Sequence, residues 1–437
     1  MVTVNPDTAS ELSERTVNNE QRMRIPRVNA ICRRIHGWSW QAFPVGMGTG
    51  AVYVVLFGLK DRSPSVATIE TVFYFLNMAL FLLNTITLVF QAIRASRFLV
   101  KFRLSVTCEV CLVFPRQAYR LLTDPVKGIF VPLIVIYLFL IACQASCHRQ
   151  VLSFATILIG TINYAVPSHH VGPSFIYVLF WVYVTFALLT CFPMLMIWFN
   201  KPHDIAHFTP AYAFLIFPMM LVGVVAFNVL RVLSPEDNRA LGVLLVGYFF
   251  QGLGFFMTFF YICIYIIRIM MTGFLEGHQA NGAFVACGPP GFTALALIKL
   301  GRLSQQILAH HNLVSPSAGE IWYASSVMGG LLLFGLAVFF FIFGALPWWF
   351  KVHKNMKEIL GCWALTFPNV GWIATLRELG DIFQLRGFYV LHLIMAIAMG
   401  AIFKSPPEVV VEDSTLLKPE LEEEKGGNPS FSPPSPV

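Results

Sequence analysis

The feature that most constrains this chain is a series of long apolar runs separated by shorter polar segments. A helix that crosses the hydrocarbon core of a bilayer needs about 20 mostly apolar residues, and ten stretches of the sequence satisfy this requirement. The candidate spans are residues 41–59, 69–93, 128–166, 173–199, 211–231, 242–272, 283–301, 321–350, 357–380 and 384–403. The pattern therefore predicts an all-α integral membrane protein with ten transmembrane helices.

Composition supports this class and limits the number of domains. The chain is 57% hydrophobic and 12% charged, whereas about a quarter of the residues of a soluble domain are charged. The spans use most of the 437 residues, so we expect one membrane domain over residues 36–403. It would be flanked by a polar arm, 1–35, and by a Glu-, Pro- and Ser-rich tail, 404–437, which we predict to be disordered.

The distribution of basic residues predicts how the chain sits in the membrane. With ten spans, the arginine-rich arm and the most basic loops fall on the same side, which places both termini in the cytoplasm by the positive-inside rule. The net charge of +7 comes partly from arginines and lysines in short loops, so it reports membrane orientation more than a nucleic-acid partner. No basic patch interleaved with aromatic residues indicates a nucleic-acid partner.

The third candidate span is about twice as long as one crossing requires. Its middle, residues 136–150, contains polar and charged side chains, and removing it leaves an apolar run of ordinary length. One hypothesis is that residues 136–150, together with residues 95–114, are insertions from unspliced sequence. The alternative is a long tilted or broken helix.

Prolines recur in the odd-numbered spans, beside small or polar residues. Proline removes a backbone donor, so at membrane depth it is tolerated where the backbone is buried or lines a cavity. The two-span period predicts five helical hairpins, with odd helices around a central pore and even helices facing lipid. The alternative is the general enrichment of Gly and Pro in membrane helices. The predicted pore-lining residues are Gly46, Gly48, Thr49, Gly50, Pro132, Pro218, Gly288, Pro289, Pro290, Thr366, Pro368 and Asn369.

Few ionisable residues lie at membrane depth in the later spans. Lys299 falls near the predicted end of the seventh span, and Arg377 and Glu378 fall near the end of the ninth. Positions near a span end favour snorkelling or local pairing. The other interpretation is that Lys299 and Arg377 attract anions to the path.

No pattern of catalytic or metal-binding residues emerges. His310-His311 lacks the glutamate and the spacing of a metalloprotease helix, and no nucleophile elbow or phosphate-binding glycine loop is present. The nine cysteines are scattered. We therefore expect neither an enzyme nor a cofactor.

Five motifs together resemble one transporter family. They are Trp38-Ser-Trp40 leading into Met47-Gly-Thr-Gly50, Pro210-Ala211 with Phe217-Pro218, Phe250-Gln-Gly-Leu-Gly-Phe255, Gly288-Pro-Pro-Gly-Phe292-Thr-Ala-Leu-Ala-Leu-Ile298, and Trp363-Ala-Leu-Thr-Phe-Pro-Asn-Val-Gly371. Over residues 36–403 the chain resembles the tellurite-resistance/dicarboxylate transporter family, and within it the fungal malate permeases.

The resemblance implies both an architecture and an activity. It implies ten helices as five hairpins around a pore, often in a homotrimer. A phenylalanine of the ninth helix plugs the pore in related bacterial and guard-cell anion channels, and Phe367, followed by Pro368, matches that position. The implied function is proton-coupled transport of malate, succinate and similar diacids at the plasma membrane. A sulfite-efflux branch and anion channels of the same fold are the alternatives.

Overall fold

The computed structural model describes residues 42–59, 63–102, 151–164, 166–167, 171–200, 202–274, 283–351 and 363–404. Within these ranges the chain forms ten α-helices and no strand, and each helix overlaps one of the predicted spans. The helices are α1 Ala42–Phe57, α2 Pro64–Phe102, α3 Val151–Tyr164, α4 Pro173–Phe199, α5 Phe217–Leu230, α6 Asn238–Thr272, α7 Gly288–His311, α8 Ala318–Lys351, α9 Trp363–Phe383 and α10 Arg386–Lys404.

Several of these helices have the length and composition of membrane spans. Five of the described helices, α2, α4, α6, α7 and α8, are long and apolar enough to cross a bilayer. The apolar parts of α1, α3, α5 and α10 are shorter, and α9 carries three charged residues toward its carboxyl end. The chain is thus a helical protein with several apolar helices, and the crossing of a bilayer by all ten stays a prediction.

The described helices pack as an inner ring and an outer layer. The odd-numbered helices contact one another in chain order, from α1 to α3, α5, α7 and α9, and α9 contacts α1 again. Each odd helix also contacts the even helix that follows it, as expected for five hairpins. Each even helix in turn contacts the next odd helix, with α10 reaching α1. The outer helices therefore lie over the grooves between the inner ones.

Burial separates the two layers. Every residue of α5 is buried. In an apolar stretch of 18 residues taken from each helix, 83% of the residues are buried in α7, against 17% in α2 and 22% in α8. The outer helices expose large apolar side chains such as Phe256, Phe260 and Leu332. An apolar outer surface suits contact with lipid. This distribution agrees with the predicted division into inner odd helices and outer even helices.

The prolines of α5 and α7 occupy the first turns of their helices. Pro218 is the second residue of α5, which follows a 3-10 segment, Pro210–Leu215. Pro289 and Pro290 open α7, which follows a 3-10 segment over residues 283–287. A proline in the first turn costs no helical hydrogen bond because the amides there have no intrahelical acceptor. These two interruptions are therefore junctions between a 3-10 segment and an α-helix, whereas Pro368 lies inside α9.

Two sequence-based boundaries differ from the structure. Helix α7 continues to His311, ten residues past the predicted end, so Lys299 lies in the middle of its helix. Helix α2 continues to Phe102, so residues 95–102 of the hypothesised insertion 95–114 extend a helix. The arm 1–35, residues 136–150 and all of the tail except Lys404 lie outside the described residues, as does Pro132.

Candidate functional site

A cavity of about 480 Å³ lies inside the ring, and all five odd-numbered helices contribute to its wall. Its lining begins near the amino-terminal part of α5, α7 and α9 and extends to the carboxyl ends of α5 and α9 and to the middle of α7. Aliphatic side chains form much of the wall, and these are Val54 and Val55 of α1, Ile159 of α3, Leu221 and Val224 of α5, Leu295 of α7, and Val370 of α9. The ring thus surrounds a mostly apolar cavity.

Aromatic rings pack together at the end of this cavity that lies near the amino-terminal ends of α5, α7 and α9. Phe367 of α9 is 4% exposed, and its ring centroid lies 5.3 Å from that of Phe292 of α7 and 6.4 Å from that of Phe217 of α5. These separations are typical of aromatic contacts. Phe292 and Phe367 both line the cavity. The predicted gate residue therefore sits in a cluster contributed by three inner helices.

Two glycines allow α7 and α9 to pack closely against each other next to this aromatic cluster. A Cβ atom at Gly371 would lie 2.3 Å from the backbone nitrogen of Phe292 and 2.6 Å from the carbonyl carbon of Gly291. A Cβ atom at Gly291 would lie 2.7 Å from the backbone nitrogen of Trp372. The absence of side chains at both positions lets the two backbones touch, which sets the distance between the helices that carry Phe292 and Phe367.

Five charged side chains line the opposite part of the cavity. Lys299 of α7 and Glu378 of α9 form an ion pair with an Nζ–Oε1 distance of 2.6 Å. Arg377 pairs with Asp381 one turn later on α9, at 3.1 Å between Nε and Oδ2. Local pairing is thus confirmed for Arg377, whereas Lys299 pairs across two helices.

The fifth charge belongs to Arg231, directly after α5. Its Nη1 donates to Asn163 Oδ1 at 3.1 Å and to Asn228 Oδ1 at 3.3 Å, and both acceptors are neutral amides. Among the described residues Arg231 has no ion-pair partner. Three cationic side chains therefore face two carboxylates in the cavity wall, which leaves one net positive charge when histidine is neutral.

One cavity residue comes from the outer layer. His392 of α10 is 2% exposed and lines the cavity. It lies one turn after Tyr389, whose ring is stacked under the Arg377 guanidinium at 5.3 Å from Cζ to the centroid. His392 was not among the site residues expected from the sequence, because even helices were expected to face lipid. A single histidine in the tenth apolar run was the available signal.

The structure brings three predicted site residues to one cavity. Phe367, Lys299 and Arg377 all line it, and Phe292 and Arg231 join them without having been singled out. The other described candidates are buried away from its lining, and they are Gly46, Gly48, Thr49, Gly50, Pro218, Gly288, Pro289, Pro290, Thr366, Pro368 and Asn369.

Several of these buried candidates hold helices together. Asn369 Oδ1 accepts hydrogen bonds from Trp372 Nε1 at 2.7 Å and from Cys287 Sγ at 3.2 Å. A Cβ atom at Gly50 would lie 2.8 Å from the Thr156 hydroxyl of α3. Their contribution to a pore lining stays a prediction.

The chemistry of the cavity suits a small anion. Its walls are mostly apolar, and its charged side chains are concentrated in one part, where cations exceed carboxylates. A low-dielectric wall strengthens the field of such a group of charges. Within the described ranges, no three His, Cys, Asp or Glu side chains are grouped so that they could hold a metal ion.

Comparison with known proteins identifies the family. Residues 37–403 match the family model SLAC1, described as voltage-dependent anion channel. The malic acid transport protein of Schizosaccharomyces pombe is 23% identical over 383 residues, which cover 86% of this chain and 78% of that protein. The sulfite efflux pump SSU1 of Arthroderma otae is 23% identical over 375 residues, which cover 84% and 87% of the two chains. These matches confirm the resemblance inferred from the motifs, and the chain belongs to the SLAC1 family of voltage-dependent anion channels.

Proposed function

We propose that this chain transports C4-dicarboxylates such as malate and succinate across the plasma membrane, with protons as the coupling ion. The observation that carries the proposal is the cavity enclosed by all five odd helices, whose wall carries one net positive charge. The two similar proteins of Schizosaccharomyces pombe are named as a malic acid transport protein and a putative one, which supports a diacid substrate.

A cavity in which carboxylates neutralise most, but not all, of the positive charge is suited to the passage of an anion. Moving an unpaired charge into a low-dielectric medium costs tens of kcal/mol by Born solvation, so the path must supply compensating groups. Cations that already have carboxylate partners, such as Lys299 and Arg377, attract an anion without trapping it. Conduction requires this balance, because binding must be favourable enough for entry and weak enough for release.

Phe367 is the proposed gate of this path. Its ring packs against Phe292 and Phe217 at the apolar end of the cavity, so an anion that enters from the charged end meets three aromatic rings. A rotamer change of Phe367 would open a passage between α5, α7 and α9. Phe292, on the facing helix, would form the other side of the same gate.

The second candidate is an anion channel or a sulfite exporter. The family description and the sulfite efflux pumps among the relatives favour it. The same cavity serves both candidates, because net positive charge attracts any small anion. Substrate preference and proton coupling separate them.

The test is flux of radiolabelled malate and sulfite into liposomes that contain the purified protein, at fixed membrane potential, with and without an inward proton gradient. We expect malate uptake above that of empty liposomes, accelerated by the gradient, and slower sulfite uptake. Faster sulfite flux would favour the exporter, and flux that follows voltage alone would favour the channel. Uptake of neither anion would overturn the proposal.

A further inference from the structure

Two side-chain nitrogens in the cavity wall are buried without hydrogen-bond partners among the described residues. They are Nη1 of Arg377 and Nε2 of His392, and both side chains line the cavity. A guanidinium nitrogen can only donate a hydrogen bond, so Arg377 requires an acceptor. Because a buried polar group without a partner is destabilising, two of them in the wall of one cavity point to a ligand that supplies acceptor atoms.

The Arg377 guanidinium is fixed in position by two neighbours. Asp381 Oδ2 forms an ion pair with Arg377, at 3.1 Å from Nε. Asp381 Oδ1 accepts a hydrogen bond from the Tyr389 hydroxyl at 2.8 Å. The Tyr389 ring lies against the guanidinium, with 5.3 Å between Cζ and the ring centroid. Asp381 and Tyr389 therefore hold one edge and one face of the guanidinium.

His392 lies on the same side of α10 as Tyr389. The two residues are three positions apart, and residues at this spacing share a helix face. His392 is 2% exposed, and it shares the cavity wall with Arg377. Its imidazole can donate from Nε2 in the neutral form that carries the proton there, and also in the charged form. The two side chains thus supply donors from two adjacent helices.

The charges around these donors favour an anionic ligand over a neutral one. Asp381 offsets Arg377, and Glu378 offsets Lys299. Arg231 donates hydrogen bonds to amide oxygens and shares the field of Glu378 with Lys299, so three cations face two carboxylates in this part of the cavity. An anion would supply acceptors to both donors and offset the excess positive charge of this part of the cavity.

We propose that Arg377 and His392 form an oxyanion-binding subsite, in which two acceptor oxygens of one ligand group bridge the Arg377 guanidinium and the His392 imidazole. A carboxylate of an organic acid and an inorganic sulfur oxyanion both carry such oxygens. Asp381 and Tyr389 are positioning residues, because they act on the ligand through Arg377. The inference rests on the proposed anion transport and names the residues that recognise the substrate.

Conservative substitutions separate recognition from folding. Arg377→Lys keeps the positive charge and a donor for Asp381, but it loses the additional N–H donors of the planar guanidinium group. His392→Leu removes the donor, whereas His392→Gln retains an amide N–H that restores it in part. Arg302→Gln is the control, because Arg302 is exposed on α7 and lies outside the cavity lining, yet its loss removes one positive charge.

The experiment measures KM and Vmax for radiolabelled succinate and for radiolabelled sulfite in liposomes, with the full-length chain and each variant. Because hydrogen bonds to charged groups contribute strongly, we expect Arg377→Lys and His392→Leu each to raise KM about tenfold, with a much smaller change in Vmax. His392→Gln should fall between the wild type and His392→Leu, and Arg302→Gln should keep the wild-type KM. A rise for succinate alone assigns the subsite to carboxylates, and a rise for both anions assigns it to oxyanions in general.

Wild-type KM values in Arg377→Lys and His392→Leu, measured with a wild-type protein that transports anions, would overturn the subsite and leave the proposed function intact. A wild-type protein that transports neither anion would overturn both. If His392→Leu does not fold, Arg377→Lys gives the same decision, since it preserves the pair with Asp381.

Discussion

At the scale of single residues, Gly371 sets how closely the two helices of the aromatic cluster approach. A methyl group there would clash with the backbone of Gly291 and Phe292, and backbone atoms cannot rotate away. We expect Gly371→Ala to destabilise the protein by about 1–3 kcal/mol, as overpacking does, and to displace Phe292 from Phe367. Thermal unfolding of the detergent-solubilised protein measures the effect.

The matched control for this substitution is Gly335→Ala on the outer helix α8. A Cβ atom at Gly335 would meet nothing within 4 Å, and alanine is a better helix former than glycine. Its unfolding temperature should equal or slightly exceed that of the wild type. Equal unfolding temperatures for Gly371→Ala and the wild type would show that α7 and α9 can separate at no cost.

Some site residues could be recognised from the sequence and others could not. Phe367 was marked by its motif, and Lys299 and Arg377 were marked by charge within an apolar run. His392 was missed because its place in the cavity depends on α10 reaching between its neighbours, which no local pattern shows. Arg231 was missed because it lies at a helix end, where an arginine is ordinary.

At the scale of helices, the ion pair between Lys299 and Glu378 links α7 to α9. Glu378 is 9% exposed and Lys299 is 31% exposed, so removing the lysine leaves a mostly buried carboxylate without its partner. We expect Lys299→Met to cost about 2 kcal/mol, less than a fully buried pair would because water screens the lysine. Unfolding free energies in detergent provide the measurement.

A double-mutant cycle isolates the coupling between these two residues. The double variant Lys299→Met with Glu378→Gln should be more stable than the sum of the single effects implies, because it leaves no unpaired charge. Strictly additive effects would mean that the pair contributes no coupling to the contact between α7 and α9.

The positions of the helices were predictable from the sequence, but some boundaries were not. An apolar run shows where a helix that faces lipid or a core lies, but it does not show at which residue the helix begins or ends. Helix α7 continues for ten residues past the apolar run because Ser304, Ile307 and Leu308 form a buried face, while the intervening polar residues lower the local hydropathy. The 3-10 segments before α5 and α7 could not be predicted, because a proline indicates that a helix is interrupted but does not specify the backbone conformation of the interruption.

At the scale of the whole molecule, Arg231, which has no ion-pair partner of its own among the described residues, should influence how anions reach the cavity. We expect Arg231→Gln to lower the initial rate of anion uptake about threefold at low ionic strength, by reducing electrostatic attraction. The difference from the wild type should shrink as salt is added, because salt screens exposed charges. Uptake rates measured over a series of salt concentrations test this.

The control for Arg231 is a nearby arginine that already has a partner. Arg239 pairs with Asp237 at 2.7 Å at the start of α6, and it lies outside the cavity lining. Arg239→Gln should therefore leave the uptake rate nearly unchanged. A loss of rate as large as that of Arg231→Gln would indicate a general surface-charge effect instead of a cavity effect.

In the proposed mechanism, anions pass through the cavity inside the ring, and Phe367 closes its apolar end. The most direct measurement is malate flux into liposomes containing wild-type protein, Phe367→Ala, or the control Phe339→Ala, which truncates an exposed phenylalanine of α8. Removing the ring should raise flux about threefold or more and weaken discrimination between malate and larger acids, whereas the control should behave as the wild type. Unchanged flux and selectivity in Phe367→Ala, with the wild type active, would contradict the account.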